Sequence, residues 1–151
     1  MRTETPARGC TNFKLRQLTR RVTQLYDQEL ARAGLRTTQY SLLSHVLKLG
    51  PLRAGDLARA MTMDASTLTR NLKPLVAAGW VDLTACDDAR ARTITITAAG
   101  RAKREQARRS WQQAQQRLNE RLGPGRVAAL HALIDESLGL LDADLEGETD
   151  D

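Results

Sequence analysis

The sequence predicts a mainly α-helical fold with one small two-stranded β-hairpin, and three observations lead there. Apolar residues recur at helical spacing over long stretches near both ends of the chain. Between them lie two short amphipathic segments separated by a turn, at 54–61 and 65–79. Two short runs of alternating polarity then flank a polar loop. With 151 residues, 41% of them hydrophobic, the chain is long enough for one domain with a real core. Only five residues are aromatic: Phe13, Tyr26, Tyr40, Trp80 and Trp111.

Taken in order, Phe13, Leu18, Val22, Leu25 and Leu30, with Leu15 and Tyr26 beside them, predict a long first helix from about Gly9 to Gly34. Thr38 is the expected N-cap of a second helix, Gln39 to Leu49, stopped by Gly50-Pro51. A short amphipathic segment runs from Ala54 to Met61. The turn Thr62-Met63-Asp64 then ends in a good N-cap residue, because the Asp64 carboxylate can accept from the free N–H groups of the next helix. On that helix Leu68, Leu72, Leu75 and Val76 converge on one face, expected to bury against the preceding helix and the hairpin. Pro74 lies inside it and should loosen the preceding turn, since proline has no N–H. Gly79 ends the helix and Trp80 anchors the turn into the hairpin.

The hairpin strands are Val81–Thr84 and Thr93–Thr97. Thr93, Thr95 and Thr97 face one way and Ile94 and Ile96 the other. Thr97 is placed to cap a long helix from Ala98 to Leu122, whose apolar residues (Trp111, Ala114, Leu118, Leu122) are sparse. After Gly123-Pro124-Gly125, Val127, Leu130, Ile134, Leu138, Leu141 and Leu145 form the stripe of a last helix.

The functional reading starts from the helix after Asp64. Ser66, Thr67, Arg70 and Lys73 fall opposite its apolar face, with Thr69 and Asn71 at the edges. Hydroxyls and cations without an acid suit phosphates and base edges. Arg70 is the candidate for bidentate reading of a guanine. Ser66 and Thr67 sit near the helix start, where base or phosphate contacts are easily reached, and Lys73 is suited to a phosphate. A lone polar stripe is more often a solvated face. Here it sits in a helix-turn-helix frame followed by a hairpin, an arrangement that can put a helix in the major groove and a wing beside it. Residues 37–97 therefore read as a winged helix-turn-helix DNA-binding lobe. In the hairpin loop Asp87-Asp88-Ala89-Arg90-Ala91-Arg92, Asp88 is expected to fix the loop, and Arg90 or Arg92 to enter the minor groove.

At these residues the chain resembles the MarR family of bacterial winged helix-turn-helix transcription regulators. The resemblance lies in Asp64-Ala65-Ser66-Thr67-Leu68-Thr69-Arg70, in Asp88-Ala89-Arg90, and in Ile96-Thr97-Ala98-Ala99-Gly100. It implies a single MarR-like domain over 1–151 and a dimeric, sequence-specific regulator. It also implies a repressor released by a small aromatic effector held between the dimerisation helices and the DNA-binding lobe. The residues that would line that crevice are Phe13, Arg16, Tyr26, Tyr40 and Trp80, each of which spacing alone places in plain core. Some MarR-like repressors sense peroxides through a cysteine of the first helix, which makes redox sensing through Cys10 an alternative. Cys10 lies between Arg8 and Lys14, cations that favour a thiolate. Set against Tyr26 and Tyr40, however, it falls about two residues ahead of the sensor position, which Asn12 takes. Cys86 lies beside Asp87 and Asp88, which disfavour a thiolate. Ordinary unpaired cysteines are the default in a reducing compartment.

Long terminal helices with narrow apolar stripes are best explained by packing against a symmetric copy. Residues 9–34 and 98–145 are thus expected to form a dimerisation layer and residues 146–151 an acidic tail. A dimer would read double-stranded DNA as an inverted repeat, with half-sites about one helical turn apart.

Net charge is +5, but residues 142–151 hold six acids and no Lys or Arg, so the first 141 residues carry 23 basic against 12 acidic residues, a net +11. Such a basic body fits a polyanionic partner. The acidic end is expected to be a solvated terminus, with masking of basic surface as the second reading.

No phosphate loop, dinucleotide fingerprint or nucleophile elbow is present, so no catalytic residue and no cofactor are expected. His45 and His131 stand apart from any close His/Cys cluster, and no metal site is expected. Neither a signal peptide nor a transmembrane run is found, which predicts a cytoplasmic protein without a membrane partner. The competing functional class is a winged-helix protein-interaction module that does not bind DNA.

Overall fold

A computed structural model describes residues 7–85 and 92–147. It divides into one compact unit extending through Ala114 and a second beginning at Gln115. No helix among the described residues is long and apolar enough to cross a membrane.

Helix α1 (Thr11–Leu30) passes into a single 3-10 turn (Ala31–Ala33), and Gly34 closes it in the left-handed region at φ 72°. The Gly34 N–H donates to the Ala31 carbonyl and the Leu35 N–H to the Leu30 carbonyl, a Schellman closure that seats both leucines in the core. Helix α2 (Thr37–Leu49) starts before the expected Thr38 cap. The structure corrects that cap: the Thr37 N–H donates to the Asp27 carboxylate (2.7 Å), and the Gln39 side chain accepts from the Arg36 N–H (2.9 Å). A carboxylate ten residues upstream thus does the work expected of a threonine hydroxyl.

A short strand β1 (Leu52–Arg53) leads into α3 (Ala54–Ala60) and α4 (Ala65–Ala77). Between them Thr62 sits at φ 52°, with its N–H on the Arg59 carbonyl and the Met63 N–H on the Ala58 carbonyl. This is again a Schellman turn, with a β-branched residue where glycine is favoured, so the turn carries local backbone strain. The hairpin of β2 (Val81–Ala85) and β3 (Arg92–Ile96) follows as expected, and β1 adds a third strand that the sequence pattern did not reveal. The antiparallel order is β1-β3-β2, with Leu52 opposite Ile94 and Val81 opposite Ile96. Ile94 and Ile96 point into the core, and Thr93 and Thr95, which alternate with them, are half-buried.

The core of the first unit joins Leu30, Leu42, Leu43, Val46, Leu57, Leu68, Leu75, Val81 and Ile94, all at most 2% exposed. Helix α5 (Ala98–Leu122) closes it through Ala107, with Trp111 stacked on Tyr40 at 5.9 Å between ring centroids. In the second unit Gly123 (φ 83°) ends α5, and Pro124 opens α6 (Pro124–Gly147) at the position where its missing N–H costs nothing. Leu133, Ile134, Leu138, Leu140 and Leu141 of α6 are exposed, as are Phe13, Leu15 and Leu18 of α1.

At Gly100 the backbone approaches so closely that a Cβ would overlap the Trp80 carbonyl oxygen and crowd the Ile96 side chain. Gly55, on the exposed side of α3, has open space instead. Gly100→Ala is therefore expected to lower unfolding stability by about 1–3 kcal/mol, and Gly55→Ala to raise it by about 0.4–1 kcal/mol. Urea titration followed by circular dichroism checks both.

Candidate nucleic-acid interface

The exposed face of α4 is set from below by burial. Leu68, Leu72 and Leu75 are 4% exposed or less, which turns Ser66, Thr69, Arg70 and Lys73 outward and leaves Thr67 half-buried. Val76 departs from expectation: it is 37% exposed and lines a groove rather than the core. Its position follows Leu75 directly, and one residue of helix rotation carries it past the edge of the buried stripe.

Asp64 caps the helix as the sequence predicts. Its carboxylate accepts from the Thr67 N–H (2.7 Å) and from the Ser66 hydroxyl (2.8 Å). These bonds, the Thr67 backbone first, hold its carboxyl below the usual carboxylate range, and Arg70 adds a smaller attraction. The Thr69 hydroxyl donates to the Ala65 carbonyl (2.9 Å). Both hydroxyls thus spend their protons within the helix and present lone pairs outward. Arg70 and Lys73 are both exposed and form no ion pair among the described residues.

The C-terminus of α4 closes as a third Schellman turn: Gly79 (φ 76°) donates to the Val76 carbonyl and Trp80 to the Leu75 carbonyl. Pro74 has no N–H for the Arg70 carbonyl, yet the helix continues for a further turn. Between α4 and the hairpin lies a groove of about 680 Å³ lined by Ala54, Thr69, Leu72, Lys73, Val76, Ala77, Leu83 and Arg92. It brings Arg92, at the start of β3, beside Lys73 and Thr69, over an apolar floor. Arg90, Cys86, Asp87 and Asp88 lie outside the described residues.

The residues expected around an effector are separated. Phe13 and Arg16 share a surface cleft of about 390 Å³ with Cys10, Asn12 and Arg20. Tyr40 is buried in the core beneath Trp111 and Arg104, and Trp80 packs at the core edge under Lys103. Tyr26 is half-buried, and that burial pushes its hydroxyl pKa up. Cys10 is exposed, and no group of three or more metal-ligating side chains occurs among the described residues.

A helix-turn-helix with a cationic outer face and a hairpin wing defines a protein of the winged helix-turn-helix class. A model of the MarR family matches residues 33–92. The chain is 30% identical to the Mycobacterium tuberculosis transcriptional regulator MosR in a crystal structure with DNA. That match has a TM-score of 0.75 and covers 88% of this chain and 98% of MosR. It is 26% identical to a probable transcriptional regulator from Pseudomonas aeruginosa, with a TM-score of 0.75 over 83% of this chain and 95% of that one. An uncharacterised HTH-type regulator of Bacillus subtilis, YwoH, is 26% identical over 93 residues, 62% of this chain and 68% of that protein. The chain belongs to the MarR family and is a transcriptional regulator, not an enzyme.

Because the folded Asp64 carboxyl is the stronger acid, its cap contributes above the unfolded carboxylate range and is lost as pH falls through the depressed folded value. Asp64→Ala is expected to lower the melting temperature at neutral pH, with the gap from wild type closing under acid. A gap that persists undiminished in acid would contradict the charged cap.

Proposed function

We propose that this chain is a homodimeric, sequence-specific regulator of transcription that binds double-stranded DNA through α4 and the hairpin. The observation that carries this reading is the pair of cations, Arg70 and Lys73, held outward by the buried leucine face of α4 with no ion-pair partner among the described residues. Arg70 reads a base, a guanine suiting its fork of donors, while Ser66, Thr67 and Thr69 offer lone pairs to base edges near the helix start. Lys73 and Arg92 flank the groove between helix and hairpin, where a phosphate would meet both charges. Arg90 belongs to the same reading as the minor-groove probe. The DNA in the MosR crystal structure supports this partner.

The exposed apolar residues of α1 and of α6 support pairing through residues 9–34 and 98–145 with a second copy. A dimer occupies an inverted repeat and represses by covering promoter DNA, in the cytoplasm. Release by a small aromatic acid is part of the same reading: Phe13 offers a ring face beside the guanidinium groups of Arg16 and Arg20.

Selection of bound duplexes from random DNA tests the proposal, and equal affinity for selected and random sequence would refute it. Arg70→Ala is expected to weaken the selected duplex by about 1–3 kcal/mol and to relax its preference at one base pair. Lys73→Ala should weaken all sequences alike and reduce the slope of log K against log salt by about 1.

A further inference from the structure

Three elements meet at one residue, Thr97. Its backbone N–H donates to the Trp80 carbonyl (3.0 Å) and its hydroxyl to the Gly79 carbonyl (2.6 Å). The same hydroxyl oxygen accepts the Gly100 N–H (3.0 Å) in the first turn of α5. Gly79 and Trp80 are the closing residues of the α4 Schellman turn, and Thr97 itself is the link from β3 to α5. One hydroxyl therefore ties the end of the DNA-facing helix to the start of the long helix behind it.

Two neighbouring features keep this junction narrow. Gly100 lets α5 press against the Trp80 carbonyl where any side chain would hold it off. One turn further on, the Lys103 ammonium lies 5.5 Å from the centre of the Trp80 ring. The first permits the close approach and the second adds an attraction between α5 and the ring, but neither gives directional bonding to the α4 closure. The hydroxyl of Thr97 does, by donating into that closure and accepting from α5 at once.

We infer that Thr97 is a positioning residue for DNA recognition: its hydroxyl sets the angle between α4 and α5, and so the spacing between the two recognition helices of a dimer. The inference rests on the paired-helix reading proposed above. Thr97 itself need not touch DNA. Without the hydroxyl each lobe should still fold and bind, because the leucine face of α4 and the N–H bond to Trp80 remain. The angle would then vary, and the loss would fall on sites that require both helices in register.

The test uses the full chain and an inverted-repeat duplex selected from random DNA by the wild type. Two derivatives accompany it: one half of that duplex, and the full duplex with one base pair inserted between its halves. Thr97→Val removes the hydroxyl at constant shape, and Thr97→Ser restores it. Thr97→Val is expected to bind the half duplex within about twofold of wild type and the full duplex about tenfold more weakly, because only the full duplex must fix the freed angle in both lobes at once. It should also discriminate less against the inserted base pair, while Thr97→Ser behaves as wild type. Equal losses on half and full duplexes, or unchanged spacing discrimination in Thr97→Val, overturn the inference and leave the paired reading intact. A wild type that binds half and full duplexes equally overturns both.

Discussion

The arrangement depends first on the burial of one face of α4. Leu68, Leu72 and Leu75 each contribute about 1.5–3 kcal/mol by leaving water. Rolling the helix far enough to hide Arg70 would expose all three, a loss comparable with the whole stability of a small domain, about 5–15 kcal/mol. Nothing on the polar side competes at that scale. The Asp64 cap and the internal bonds of Ser66 and Thr69 refine the helix, and exposed pairs such as Arg59 with Asp56 add little. Which side chains meet solvent is therefore decided by hydrophobic burial beneath them.

Burial orients α4 about its own axis, and the junction around Trp80 orients it relative to its neighbours. The polypeptide returns there twice, as the end of α4 and as the start of α5, and hydrogen bonds join the two passages directly. The stacking of Trp111 on Tyr40 and the bond from Arg104 to the Ser44 hydroxyl (3.2 Å) secure α5 to α2 further along. Within the first unit, the end of α4 is thus tied to α5, and α5 in turn to α2. A preorganised surface loses less freedom when it meets a rigid duplex.

Much of this was legible in the sequence, because the signals were local. The Asp64 cap, the Gly79 closure, the Thr97 cap and the alternation of Ile94 and Ile96 each rest on residues within a few positions of one another. What was not legible depends on contacts distant along the chain. Strand β1 is two residues long and exists through its pairing with β3 some forty positions later. The cap of α2 comes from Asp27 on the preceding helix, which no local pattern marks. Val76 has the right residue type for a core stripe but lines the groove that α4 shares with Leu83 and Arg92 of the hairpin. The groove joining Lys73 to Arg92 was likewise hidden, since its two cations are 19 positions apart and meet through the hairpin fold. Tyr40 and Trp80 show the converse: the family resemblance marks them as possible ligand groups, spacing alone places them in plain core, and packing puts both in or against the core.

Hydrogen exchange of the full-length protein, with and without its selected duplex, tests the central claim most directly. The account predicts slowed exchange concentrated in peptides covering 64–78 and 92–96, where the exposed face of α4 and the flank of the hairpin would meet DNA. Helix α2, whose inner face is already buried, should change little. Protection confined to α1 or α6, with 64–78 exchanging as in the free protein, would contradict it.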